Sequence, residues 1–321
     1  MTNVLDLIAY KNGEYKPLGE IGPSILDFGF IHCDATYDVM PVYNGKAFCY
    51  ERHLQRFKNS AERYGLKLPD PEWTDPLEVI KELAKRNPID NAFVWFLIWR
   101  GFPPSGNPRD LENCPVNFAM YIKPSYPIAK SPLVRLYLDK HTNRVNDDYY
   151  GQEYKNMAWI DLTLSQRNTP AGFDTTVLID IDGHVTEGPG FNVGIVKDGS
   201  IYTADKNVLK GITMSVVEDI ANENNIELDV VKLVDNFITT KTNSGDEEIR
   251  NEYERVRNEI QNERSVAFFK RMLLLGVQGV EMMNNKFDPL GVDLDGWSEA
   301  MGYSMENQEY DEVMSELYEK Y

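Results

Sequence analysis

Apolar residues recur at helical and strand spacing along the first three quarters of the chain. Between residues 50 and 64 they fall on one face at intervals of three and four, which predicts a helix: Leu54, Phe57, Ala61 and Tyr64. Short runs with strand-like patterning stand on both sides of this helix. Residues 5–124 are therefore expected to form an α+β unit.

Two Asp-Gly dipeptides lie inside β-branched runs further along the chain. They stand within residues 177–185 and 193–202, and each predicts a hairpin, because a tight type I′ turn needs residues that tolerate positive φ. A helix is predicted from Gly211 to about Asn225, followed by a strand over residues 226–231.

The pattern also divides the chain. A proline-rich connection, with Pro124, Pro127 and Pro132, interrupts regular structure and marks a junction. From residue 242 the sequence becomes charge-dense with helical spacing. The expected organisation is a small domain over residues 1–124, a large domain over 125–241 and an acidic helical extension over 242–321.

Charge and composition exclude several classes of protein. The chain of 321 residues carries 33 Lys and Arg against 51 Asp and Glu, a net charge of −18 that disfavours nucleic acid and anionic membranes as partners. Three cysteines without a C-x-x-C pair and four histidines without ligand spacing indicate a reducing compartment and no structural metal. No signal peptide and no apolar run of the ~20 residues that a membrane span needs is present, so the expected location is cytosolic.

Two residues stand out as candidates for chemistry. Glu187 precedes the turn-forming Gly188-Pro189-Gly190, and taken alone it is better interpreted as a solvated loop acid. Lys155 is followed by apolar and aromatic residues, where a surface lysine would have polar neighbours. A desolvated amine has a lowered pKa and can form a Schiff base, although a lysine extending its amine from an element's edge to solvent would show the same pattern.

Five segments together resemble the class IV pyridoxal-phosphate aminotransferases: residues 25–39, 53–57, 154–162, 185–192 and 209–213. The resemblance extends over about residues 20–235. That family contains branched-chain, D-amino-acid and R-selective amine transaminases, and aminodeoxychorismate lyase. It implies a two-domain α+β fold, a homodimer, pyridoxal 5′-phosphate as cofactor, and an amino donor with a 2-oxo acid acceptor as substrates.

The resemblance also implies residue roles. Lys155 would hold the cofactor as a Schiff base and move the substrate proton, and Glu187 would pair with the pyridine nitrogen. Arg56 and the backbone amides of Ile212 and Thr213 would bind the phosphate, although Arg56 could be a solvated charge and Thr213 only an N-cap. Substrate binding would involve Tyr37, with Arg100 or Arg109 as the cation.

Three departures keep alternatives open. Ile160 stands where the branched-chain enzymes carry a tyrosine, which disfavours branched-chain specificity, and only residues 237–245 resemble the family's third phosphate segment. The acidic tail takes the place of the last large-domain strands. It resembles a helical segment of proteins of large DNA viruses and phages, and is expected to bind a protein partner. The alternatives are an aminodeoxychorismate lyase and a non-catalytic viral or phage binding protein that retains the fold.

Overall fold

The first part of the chain forms a six-stranded antiparallel sheet with helices against one face. The computed structural model describes residues 3–43, 46–68, 76–87, 89, 91–125, 135–197, 200–223 and 227–231. The first elements are β1 (Ile8–Lys11), β2 (Glu14–Pro17), α1 (Phe28–Ile31), β3 (Ala35–Tyr43), β4 (Lys46–Ala47), α2 (Tyr50–Arg63), α3 (Pro76–Arg86), β5 (Ala92–Arg100) and β6 (Val116–Pro124). The strand order is β2-β1-β6-β5-β3-β4.

Alternation along the central strands separates the two faces of this sheet. In β5 every second side chain from Ala92 to Ile98 is buried, and those residues belong to the main apolar core. Phe57 and Ala61 of α2 and Leu83 of α3 complete that core. The opposite face carries Tyr37, Trp95 and other aromatic side chains.

The predicted helix over residues 50–64 is confirmed as α2, but its inward face is not purely apolar. His53 and Ser60 are buried beside Phe57 and Ala61, while Leu54 is only half-buried. Polar groups on a buried helix face need partners in other elements. These partners come from β3 and from the segment around Lys155.

The second part of the chain contains smaller sheets. Its elements are β7 (Leu136–Asn143), α4 (Asp147–Tyr150), α5 (Ile160–Asn168), β8 (Thr175–Ile179), β9 (Glu187–Gly188), β10 (Phe191–Asn192), β11 (Gly194–Lys197), β12 (Ser200–Ala204), α6 (Ile212–Glu223) and β13 (Leu228–Val231). β7 and β8 are parallel, and α4 and α5 lie between them in the chain. β12 pairs with β11 antiparallel and with β13 parallel.

The second predicted hairpin is confirmed by the pairing of β11 with β12. The first is reduced to a single antiparallel bridge between Ile179 and Val185, closed by a turn in which the Asp180 carboxylate accepts the backbone N–H groups of Asp182 and His184. The longest pairing of β8 is instead with β7, a parallel neighbour from earlier in the chain. In the described part of the chain, every helix is too short or too polar to cross a bilayer. The predicted tail helices lie outside the described residues.

Candidate active site

Lys155 lies in the loop between α4 and α5, and its backbone is fixed to the first part of the chain from two sides. Its N–H donates to the Ser60 hydroxyl of α2 at 3.1 Å, and its carbonyl accepts the Thr36 hydroxyl of β3 at 2.6 Å. The loop is thereby held against the edge of the sheet and helix. The direction of the Lys155 side chain is thus set by residues about a hundred positions away in sequence.

The Lys155 ammonium lies over an aromatic ring. Nζ is 4.4 Å from the centroid of the Tyr37 ring, in β3. Tyr37 itself is 4 % exposed and stacks on Trp95 of β5, with ring centroids 5.4 Å apart. Burial raises the pKa of Tyr37, so its hydroxyl keeps its proton at neutral pH.

Four charged side chains act on the Lys155 amine. Burial lowers its pKa to about 8, and the positive charges of Arg56 and Arg144 act in the same direction, while Asp38 and Glu187 oppose them. All of these groups are therefore close enough to interact electrostatically with Nζ. A lysine in this state supplies a substantial fraction of neutral amine near physiological pH.

Glu187, in β9, is a buried carboxylate rather than a solvated loop acid, since only 5 % of the residue is exposed. Its Oε2 accepts the backbone N–H of Leu209 at 3.1 Å, and Oε1 accepts two N–H groups of Arg144. Burial raises the pKa of Glu187, and the Arg144 charge and the Leu209 N–H oppose that rise.

Arg144 is a functional residue that the sequence reasoning missed. It lies just after β7, is buried, and donates Nε and Nη2 to Glu187 at 3.0 and 2.9 Å and Nη1 to Asp161 at 2.6 Å. Its pKa is lowered by burial but raised more strongly by the two carboxylates, so the net direction is upward. Nothing in the local pattern of residues 141–146 distinguishes this arginine, because its partners are 17 and 43 residues away.

Arg56 extends from α2 to a buried carboxylate in β3. Nε and Nη2 donate to the two oxygens of Asp38 at 2.7 and 2.8 Å, and Nη1 donates to the carbonyl of Lys210 at 3.2 Å. The His53 ring nitrogen Nδ1 lies 2.7 Å from Asp38 Oδ1. Arg56 is therefore not a solvated surface charge.

The loop over residues 209–212 connects the Glu187 and Arg56 groups. Asn192 Nδ2 donates to the carbonyl of Leu209 at 2.8 Å, and a Cβ on Gly211 would overlap the Asn192 side-chain oxygen. α6 then begins at Ile212, so the free N–H groups of its first turn follow the carbonyl that Arg56 contacts. This combination of a guanidinium and a helix amino terminus suits a phosphate group.

The structure places Arg100, Arg109 and Ile160 differently from this group. The Arg100 guanidinium donates to Asp34 at 2.6 Å and to the carbonyl of Tyr64 at 2.9 Å. Arg109 and Ile160 are exposed, and Ile160 is 66 % accessible. The assignment of Arg100 or Arg109 to substrate binding stays a prediction.

These donors fit pyridoxal phosphate. A partly neutral amine can bond to its aldehyde, a buried carboxylate can hold a protonated ring nitrogen, and an arginine beside a helix amino terminus can bind its phosphate. Lys155, Glu187 and Arg56 supply these functions. Among the described residues, the geometry thus brings together three groups that the sequence only suggested.

Comparison with protein families gives two matches. A family model described as amino-transferase class IV matches residues 35–238, which is more than half of the chain and includes every site residue named above. A second model, described as a family of unknown function, matches residues 227–321. The acidic tail therefore corresponds to a separately recognised family, about which the match says nothing further.

Individual proteins show the same relationship. The chain is 27% identical over 223 residues to a Methanocaldococcus jannaschii protein assigned as a branched-chain-amino-acid aminotransferase, covering 68% of this chain and 76% of that protein. It is 26% identical to the D-alanine aminotransferase of Staphylococcus aureus, covering 73% and 85%. The solved branched-chain amino acid aminotransferase of T.th., complexed with N-(5′-phosphopyridoxyl)-L-glutamate, is 25% identical with a TM-score of 0.64, covering 73% and 79%.

Proposed function

Because the chain belongs to the class IV aminotransferase family, we propose that Lys155, Glu187 and Arg56 are the residues that carry its reaction. The protein is a pyridoxal-phosphate-dependent transaminase, and its substrates are an amino acid and a 2-oxo acid. The observation that supports the residue assignment best is the environment of Lys155. Its amine lies among Arg56, Arg144, Asp38 and Glu187, which act together on its pKa.

Lys155 is the covalent anchor and the proton carrier in this proposal. When bound, pyridoxal phosphate supplies an aldehyde for the amino group and a ring that accepts the electron pair of the substrate's broken C–H bond. With a pKa of about 8, Lys155 Nζ can act as a nucleophile and, once released, take a proton from the substrate α-carbon. The ring of Tyr37 limits where that amine can move.

Glu187 holds a proton at the cofactor's ring nitrogen. A carboxylate in this position must be ionised, yet burial alone would favour its neutral form. Arg144 opposes that effect through two hydrogen bonds to Oε1. Oε2 keeps a lone pair beyond the one that accepts the Leu209 N–H, and it can accept the N–H of the ring.

Arg56 and the amino end of α6 bind the phosphate and so orient the cofactor along the loop over residues 209–212. The amides of Ile212 and Thr213 contribute donors there. Because Leu209 contacts Glu187 and Lys210 contacts Arg56, one short loop sets the distance between the ring and phosphate ends of the cofactor.

The side of Tyr37 away from Lys155 indicates the substrate class. Tyr37 stacks on Trp95, Trp95 stacks on Tyr121 at 5.6 Å, and Trp159 lies 6.5 Å from Tyr37. We propose amino donors with small or medium apolar side chains, because aromatic rings provide favourable contacts for such groups. The relatives that act on alanine and on branched-chain amino acids support this class.

A homodimer is also proposed. Four apolar side chains in and before α1 are 48 to 77 % exposed: Ile25, Leu26, Phe30 and Ile31. A contiguous segment of this kind is typical of a protein–protein interface. Light scattering of the purified protein at micromolar concentration should give twice the chain mass, and replacement of Phe30 by Lys should shift it toward the monomer.

The proposed cytosolic location and domain limits rest on fewer observations. Cys33, Cys49 and Cys114 are all unpaired, as expected in a reducing compartment. The six-stranded sheet is built wholly from residues 8–124, which supports a domain limit near residue 124.

The test of the proposed function is amino-group transfer. The holoenzyme is incubated with D- and L-alanine and D- and L-valine in the presence of 2-oxoglutarate, and the products are separated by chromatography. Transfer should require the 2-oxo acid, should favour one enantiomer, and should be lost in Lys155→Ala but kept in Lys206→Ala, whose side chain is exposed. Transfer at the wild-type rate by Lys155→Ala would refute the assignment.

A further inference from the structure

Asp38 is a fully buried carboxylate that accepts four hydrogen bonds. Two come from Arg56 Nε and Nη2, and one each from the His53 ring and the Val39 backbone N–H. Burial alone would raise its pKa, but the hydrogen bonds and charges of His53 and Arg56 outweigh it and hold that pKa at about 2. Asp38 is therefore an anion at every physiological pH.

A buried ion pair is a poor way to stabilise a sheet. Asp38 occupies the core-facing side of β3, next to Thr36 and Met40 on the same face, where an apolar residue of similar size could pack. Replacing a buried pair by apolar residues is often neutral or stabilising. A role in orientation explains the carboxylate better than a role in stability.

The contact geometry specifies that orientation. A guanidinium has five N–H donors in a rigid plane. Asp38 takes the side formed by Nε and Nη2, and the Lys210 carbonyl takes one donor of Nη1. Two N–H groups then have no protein partner in the described part of the chain, one on Nη1 and one on Nη2.

The charge on His53 is also defined. Because the ionised Asp38 can only accept, His53 carries a proton on Nδ1, and burial lowers the pKa of the ring despite Asp38. A neutral His53 therefore holds Asp38 on the side away from Arg56 without adding a second positive charge. The result is a fixed series of three side chains, His53, Asp38 and Arg56.

We propose that Asp38 is a positioning residue for phosphate recognition: it holds Arg56 so that the two remaining N–H groups bind the phosphate of the cofactor. This inference rests on the proposed function, in which Arg56 is the phosphate-binding arginine. Asp38 touches neither cofactor nor substrate and acts only through Arg56. Although its negative charge reduces the positive charge at the site, the fixed orientation of the fork contributes more to phosphate binding.

The test compares a ligand that has the phosphate with one that lacks it. Pyridoxal phosphate and pyridoxal share the aldehyde and ring, so the ratio of their dissociation constants isolates the phosphate contribution. Both constants are measured by equilibrium dialysis on the full-length protein. Asp38→Asn should lower this preference for the phosphorylated ligand at least tenfold, with the affinity for pyridoxal unchanged within about twofold.

Two further variants make the test specific. Asp27→Asn is the matched control, since Asp27 is also buried and accepts hydrogen bonds from Trp99 and Ser24 but contacts no arginine. It should keep the wild-type ratio. Arg56→Lys retains the charge but cannot form the side-on pair, so it should lose the preference to a similar extent, and adding Asp38→Asn to it should have no further effect.

The outcomes separate this inference from the proposed function. Equal loss of affinity for both ligands in Asp38→Asn would show a merely structural role and would overturn the inference, and so would an unchanged ratio in Arg56→Lys. If Asp38→Asn does not fold, Arg56→Lys alone decides. A wild-type protein that binds both ligands equally would refute phosphate recognition by Arg56 and Asp38, whereas borohydride fixation on Lys155 would still support the proposed reaction.

Discussion

Replacement of Arg144 by Gln removes the cation between two buried carboxylates. Arg144 gives two hydrogen bonds to Glu187 and one to Asp161, and the three side chains are each about 6 % exposed. Breaking a buried ion pair by removing one partner costs about 3–5 kcal/mol, because the remaining charge is buried without compensation. Such a loss is a large part of the ~5–15 kcal/mol that stabilises an ordinary protein.

Urea denaturation followed by circular dichroism measures this loss. With a slope of about 3 kcal/mol per molar urea, typical of larger single-domain proteins, the midpoint should fall by roughly 1 to 2 M. Arg135→Gln is the control, because the Arg135–Asp174 pair is largely exposed, and its midpoint should stay at the wild-type value.

The pH dependence gives the sign of the effect. Burial raises the pKa of Glu187, and loss of Arg144 should raise it further. A carboxyl with a raised folded-state pKa favours the fold below its unfolded pKa, and this contribution is lost as the pH rises through the folded value. The deficit of Arg144→Gln should therefore be larger at pH 8 than at pH 5. A deficit below 1 kcal/mol, or one that is equal at both pH values, would refute the description of this ion group as buried and coupled.

Three further predictions concern the ring, the loop and the tail. Glu187→Gln should retain the cofactor but slow proton abstraction at least ~100-fold in single-turnover experiments, because an amide cannot keep the ring nitrogen protonated, whereas Glu223→Gln on the exposed side of α6 should react normally. Gly211→Ala should weaken pyridoxal-phosphate binding, measured by equilibrium dialysis, at least tenfold because its Cβ overlaps Asn192; Gly22→Ala, which meets open space, is the control, and equal affinities would contradict the loop's role. A chain ending at Lys241 should aggregate on size-exclusion chromatography if residues 249–284 cover an open sheet edge, with Phe268, Phe269, Met272 and Leu273 on the buried face, and a soluble truncation with undiminished cofactor affinity would show that the tail is a separate module.

Local patterns predicted the elements that carry their own signal. The spacing of Phe57 and Ala61 predicted α2, and the Asp-Gly turn at residues 198–199 predicted the hairpin of β11 and β12. These features depend on neighbours within a few positions. They could be read from one sequence because helix and hairpin periodicities are local.

The parts that local patterns did not reveal depend on distant partners. The parallel pairing of β7 with β8 joins residues about forty positions apart across two helices, so no periodicity announces it. Arg144 likewise acquires its role only from Glu187 and Asp161. Asp38 did carry a usable signal, since a charged residue on the core-facing side of an alternating strand must have a buried partner.

The candidate site shows the same division. Lys155, Glu187 and Arg56 could be proposed because they lie in segments that resemble a known family. The residues that set their charge state and orientation, Arg144 and Asp38, are visible only after folding, because a pKa depends on the whole surrounding shell.

The central claim is that Lys155 holds the cofactor, and one labelling measurement tests it most directly. The full-length protein is loaded with pyridoxal phosphate, reduced with borohydride, digested and analysed by mass spectrometry. The account predicts a single phosphopyridoxyl group on Lys155, and its loss, with the visible absorbance band, in a Lys155→Ala variant of unchanged circular dichroism. A label on another lysine, or a band that persists in Lys155→Ala, would contradict it.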